Sequence, residues 1–177
     1  MNRIRVLTVL FAAVLLVGGL VATPATAGAL WLTSNASWTN PDQTSSSPRS
    51  RVVDLSYGQH GRFDRVVIRF RGAFPGGLTH YQRRFTYDGS GLPVPIGGRS
   101  GLQVSLTPAD AHDAAGNNVY AGPSIARPRF QTLKSLAFTG DFEGHVTFAF
   151  ALTHPAPYRI FTLEDPRRIV IDFHHSN

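Results

Sequence analysis

The stretch FTLEDPRRIVIDF, residues 161–173, reads as a turn and the strand that follows it. Asp165 and Pro166 are turn residues: a short carboxylate can bond the nearby backbone, and the proline ring fixes φ. From Arg168 the residue types alternate. Ile169, Ile171 and Phe173 are predicted to face a core, with Arg168 and Asp172 on the other side. On this reading Asp172 is a solvated surface residue whose replacement by Ala is mild, whereas an acid at Ile171 unfolds the strand.

The same pattern recurs outward from this stretch. VVDLSYG (52–58), DRVVIRF (64–70), HYQRRFTY (80–87), LQVSLT (102–107), LKSLAFTG (133–140), HVTFAFAL (145–152) and YRIFTL (158–163) are rich in Val, Ile, Phe and Tyr, and Gly or Pro falls at or between their ends. With RIVIDF (168–173) they make about eight strands. Alternation assigns to the core Val66, Ile68 and Phe70; Leu102, Val104 and Leu106; Val146, Phe148, Phe150 and Leu152; and Ile169, Ile171 and Phe173. Arg65, Arg69, Gln103, Ser105, Thr147, Arg168 and Asp172 take the opposite faces. One buried face per strand is what two packed antiparallel sheets require, so the expected fold is all-β, a sandwich of two small, mostly antiparallel sheets. RVVIRF (65–70) and RIVIDF (168–173) echo one another, each with an Arg start, three apolar residues and a final Phe. Residues 108–131 are the long irregular part, with room for no more than a helical turn around 109–114.

The N-terminus, MNRIRVLTVLFAAVLLVGGLVATPATAGA, has a charged start, an apolar run and small residues after it, the pattern of a secretory signal peptide over residues 1–27. Cleavage after Ala27 is expected, leaving Gly28 first; cleavage after Ala29 and retention as a membrane anchor are the other readings. An uncleaved segment is the one foreseen route to a membrane. Residues 28–50 are Ser, Thr and Asn-rich and read as a linker, and 51–175 as one domain. In the linker Trp31 and Trp38 either contact a surface or glycan or pack back on the domain.

The chain has no Cys, hence no disulfide, thiolate nucleophile or lipid-modified cysteine. Without Arg3 and Arg5, 15 basic residues stand against 11 acidic ones, a net charge of +4 with His neutral. The cations are dispersed among acids with no basic run, so nucleic acid is not an expected partner, whereas an anionic cell envelope is.

No catalytic residue or cofactor is assigned. Glu164 and Asp165 are neighbours in a turn and point apart, unlike a glycosidase pair. His112 and Asp113 could be a base and its orienting acid, but the chain has no Gly-x-Ser-x-Gly elbow. The histidines at 60, 80, 112, 145 and 154 are scattered without a ligand motif, and no metal is assigned. Binding candidates come from HYQRRFTY. Read as a strand, it sets Tyr81, Arg83, Phe85 and Tyr87 on one face and Arg84 on the other. Tyr81, Arg83, Arg84 and Tyr87 are therefore the candidate ligand-binding residues, guanidinium for carboxylate or phosphate and phenol ring for a sugar face. The plain alternative is that the two arginines are edge-strand charges that prevent sheet-to-sheet pairing.

The segments FDRVVIRFRG (63–72), DGSG (88–91), LQVSLTPADAHD (102–113), LAFTGDFEGHVTFAFAL (136–152) and FTLEDPRRIVIDF (161–173) together resemble the AMIN-like domain of exported actinobacterial proteins, over about residues 51–175. The resemblance implies a sandwich of two small sheets and a relative of the module associated with peptidoglycan targeting. The expected function is a secreted, non-catalytic envelope module bound to peptidoglycan or another anionic wall polymer. The alternatives are an envelope protein-interaction module that pairs through a strand edge and, third, a secreted hydrolase.

Overall fold

The structure, a computed structural model, describes residues 29–40 and 49–175. The expected signal segment 1–27 and the cleavage point after Ala27 lie outside the described residues. Among those residues there is no helix, and the strands are β1 (Ala36–Trp38), β2 (Ser50–Gln59), β3 (Phe63–Arg71), β4 (Gly76–Tyr81), β5 (Ser100–Thr107), β6 (Ala109–Asp110), β7 (Ile125–Ala126), β8 (Leu133–Phe142), β9 (His145–Leu152), β10 (Tyr158–Leu163) and β11 (Arg168–His174). They form a six-stranded sheet, β1-β4-β5-β9-β8-β7, and a five-stranded sheet, β10-β11-β3-β2-β6. All pairings are antiparallel except the short β2–β6 contact.

All four expected core sets lie in the single cluster between the sheets, none of their residues more than 3% exposed. Phe150 and Phe173 meet across the sandwich with ring centroids 5.5 Å apart. Burying a side chain such as Ile171 contributes about 1.5–3 kcal/mol, and the alternation delivers one such residue every second position. The two echoing strands turn out to be neighbours: β3 and β11 run antiparallel, with Arg65 opposite Asp172 and Arg69 opposite Arg168.

Two expectations need correction. The first concerns 80–87, where β4 ends at Tyr81. The Gln82 N–H still bonds Gly101 O at 3.0 Å, and then the chain crosses the outer face of the six-stranded sheet. That face is carpeted by small residues, Ala137, Ala149 and Ala151, over which Phe85, Val94 and Ile96 pack as a second apolar cluster. Burial of the Phe85 ring outweighs continued strand pairing. The fit is tight enough that a Cβ on Gly101 would stand 2.5 Å from Phe85 Cζ.

The second concerns the linker. Leu32 exchanges backbone hydrogen bonds with Tyr158 on the outer edge of the five-stranded sheet, while β1 pairs with β4 on the edge of the other sheet. Between them the Tyr158 hydroxyl donates to Ser34 O at 2.9 Å, and Trp38 Nε1 donates to Pro75 O at 3.1 Å. Polar composition conceals a clasp, because its contacts are mostly backbone pairing that any residue type can make. Trp38 packs against the core cluster, while Trp31 stays partly exposed beside His174. Residues 108–131 are irregular apart from β6 and β7, and no helical turn forms around 109–114.

Candidate functional site

The four sequence candidates do not share one surface. Tyr81 is half-buried: its hydroxyl donates to Ala156 O at 2.6 Å, its ring meets Tyr158 edge-on at 5.6 Å, and burial pushes its phenol up to about 12. Tyr87 packs on the second apolar cluster. Arg83 and Arg84 are exposed and have no ion pair among the described residues.

On the outer face of the five-stranded sheet Arg65, Arg69 and Arg159 are neutralised by carboxylates. Asp172, expected to be solvated, has no exposed area. Arg65 grips it with two bonds, Nε to Oδ1 at 2.7 Å and the terminal nitrogen to Oδ2 at 2.9 Å, and Arg159 Nε donates to Oδ2 at 2.7 Å. Both guanidinium groups lie over the Phe63 and Phe161 rings, and Arg159 also covers Trp31 at 4.8 Å. The bond to Asp172 holds the Arg65 guanidinium even further above neutrality than usual. Arg69 pairs with Asp54 at 3.1 Å and Arg167 with Glu164 at 3.4 Å. Alternation is right about the side Asp172 faces; large flanking side chains close over it.

The other sheet carries the opposite arrangement. A groove of about 590 Å³ is lined by Pro95, Ile96, Gly97, Gly98, Arg99, Arg127, Arg129, Lys134 and Ser135, four cations and no acid. Among the described residues Arg99, Arg127, Arg129 and Lys134 have no carboxylate partner. Local structure sets each one. Lys134 is the extra residue where the β8–β9 register shifts between Leu133 and Ser135, and a bulge re-aims a side chain. Arg129 adopts φ 57, its N–H bonding Lys134 O at 3.2 Å; for a non-glycine residue that conformation costs roughly 1–2 kcal/mol. Arg127 donates from its terminal nitrogen to Pro95 O at 2.7 Å, tying the two walls together. Gly98 brings backbone so close to β9 that a Cβ would lie 2.2 Å from Leu152 O.

The rim is held from the opposite sheet. Asp64, buried on β3, accepts from the N–H groups of Thr132 and Leu133, both at 2.7 Å, and from His175 Nε2 at 2.9 Å. A fixed groove with unneutralised cations can bind a carboxylate or phosphate with charge-assisted bonds, and an anion relieves the repulsion among them. The sequence signal was ARPRFQTLK (126–134), three cations and no acid in one short segment, which a search for adjacent charges passes over.

In a third arrangement His112 and Asp113, neighbours in the sequence, do not pair. Asp113 instead bonds the N–H groups of Ala115 and Asn117, both at 2.9 Å, and closes its own loop. The partner of His112 is Asp141, with Nδ1 and Oδ2 2.6 Å apart, and this bond raises the imidazole above its ordinary value. Asp110, His112 and Asp141 present donor atoms within 4.8 Å of one another, the one such group of potential metal ligands among the described residues.

The architecture is an all-β sandwich of two mostly antiparallel sheets with a groove lined by four cations. The sequence model of the AMIN-like domain family matches residues 50–175, and the chain belongs to that family. Domains of this family are typically found in envelope proteins, and membership points to a cell-wall-associated module. No curated protein matches the chain.

Proposed function

We propose that the protein is a secreted, non-catalytic envelope module that holds peptidoglycan or another anionic wall polymer in the groove of Arg99, Arg127, Arg129 and Lys134. The observation that carries this reading is the absence of any acid from a groove lined by four cations, while Arg65, Arg69 and Arg159 on the opposite sheet are paired with carboxylates. Planar guanidinium groups suit the carboxylates of peptide stems or the phosphates of wall polymers, and the family supplies the envelope context.

The test is sedimentation of the purified protein with protein-free cell wall at increasing ionic strength, with the supernatant assayed for muropeptides and sugars. Retention that falls as salt rises, with no fragments released, is expected, since exposed charge pairs are screened over about 8 Å at physiological salt. Salt-insensitive capture of a specific envelope protein would put strand-edge pairing in its place. Soluble fragments would restore the hydrolase reading.

A further inference from the structure

We infer that Asp110, His112 and Asp141 form a binding site for a divalent transition-metal ion, lined by none of the groove residues and independent of the reading above. The donor set is mixed, one imidazole and two carboxylates from three elements: β6, the loop after it and β8. Nitrogen with carboxylate oxygen suits Zn²⁺ or Mn²⁺ better than Mg²⁺, which keeps its waters and takes oxygen.

An independent observation lies in Asp141. Its Oδ1 is shut off from solvent and has no hydrogen-bond partner, although Oδ2 of the same carboxylate is bonded to His112. A buried carboxylate oxygen without a donor is costly, and a cation held between both oxygens of Asp141 removes that cost. His112 and Asp141 also line a cavity of about 480 Å³, which leaves open positions for water or a ligand's oxygen.

The geometry needs only a small adjustment. His112 Nδ1 and Asp141 Oδ2, now 2.6 Å apart around a shared proton, would part to about 3.3 Å around a tetrahedral ion with bonds near 2.0–2.1 Å. The ion takes the proton's place. Asp110 is engaged by Arg49 through Oδ1 at 3.1 Å, which leaves its other oxygen for the metal. Two carboxylates against one guanidinium leave a net negative charge, so binding is favourable, with Arg49 acting as a competitor that limits affinity.

That competition gives the test its signature. Calorimetric titration of the untagged chain with Zn²⁺, and with Mg²⁺ for comparison, should show one Zn²⁺ per chain and a higher melting temperature, with no response to Mg²⁺. His112→Ala and Asp141→Asn should each reduce affinity at least tenfold, Asp110→Asn serving if Asp141→Asn does not fold by circular dichroism. Arg49→Ala should tighten binding severalfold, a change that a purely structural role for the cluster would not produce. Absence of Zn²⁺ binding, binding unchanged in the folded His112 and Asp141 or Asp110 variants, or weakening by Arg49→Ala would each overturn the assignment.

Discussion

The two sheets put the same residue type to opposite uses. On the five-stranded sheet Arg65 and Arg159 converge on one fully buried carboxylate and lie on aromatic rings. At the end of the six-stranded sheet Arg99, Arg129 and Lys134 stand exposed, with no acid in the groove they line. A paired guanidinium holds strands together and has little left for a ligand, whereas an unpaired one adds little to folding and retains its charge for a partner. Arginine count and net charge are blind to this difference, and partner geometry decides it.

Four variants sharpen or break the comparison. Ile171→Asp should have the largest effect, because it places an unpaired acid in the core directly beside Asp172; circular dichroism should show an unfolded chain. Asp172→Ala comes next, lowering stability by about 2–4 kcal/mol in thermal or urea melts, since it strands two guanidinium groups that are themselves partly solvated. A melt within experimental error of wild type would mean the paired face is no more structural than the groove. Arg99→Ala combined with Lys134→Ala should change stability by less than about 0.5 kcal/mol yet abolish most salt-sensitive wall retention. Arg83→Ala with Arg84→Ala should do least, trimming retention modestly at unchanged stability, since this exposed pair does not line the cationic groove. Equal losses of retention from the two double substitutions would mean that general positive charge, and not the groove, attracts the polymer.

The core was legible because alternation and burial obey the same period: residues from Val66 to Phe173 occupy the faces their spacing predicts. Legibility failed where a neighbour in space outweighed the pattern in sequence. HYQRRFTY alternates well enough to read as a strand, but the carpet of Ala137, Ala149 and Ala151 offers Phe85 a better place, and those alanines are far away in the chain. Asp172 was put on the right face and given the wrong environment, because Arg159 and Phe161 come from a different strand. The groove was missed for a related reason: Arg99 and Lys134 meet only once β5 and β8 flank β9.

The clasp formed by Leu32 and β1 bears on how this domain should be cut for expression. The family match begins at residue 50, yet the segment ahead of it covers the margins of both sheets, β10 through Leu32 and β4 through β1. A fragment trimmed to the match would leave both margins with open backbone donors and acceptors, the template for stacking one molecule on the next. Such a fragment is expected to self-associate, and a peptide spanning residues 29–40, supplied separately, should return it to monomers by donating the missing strand.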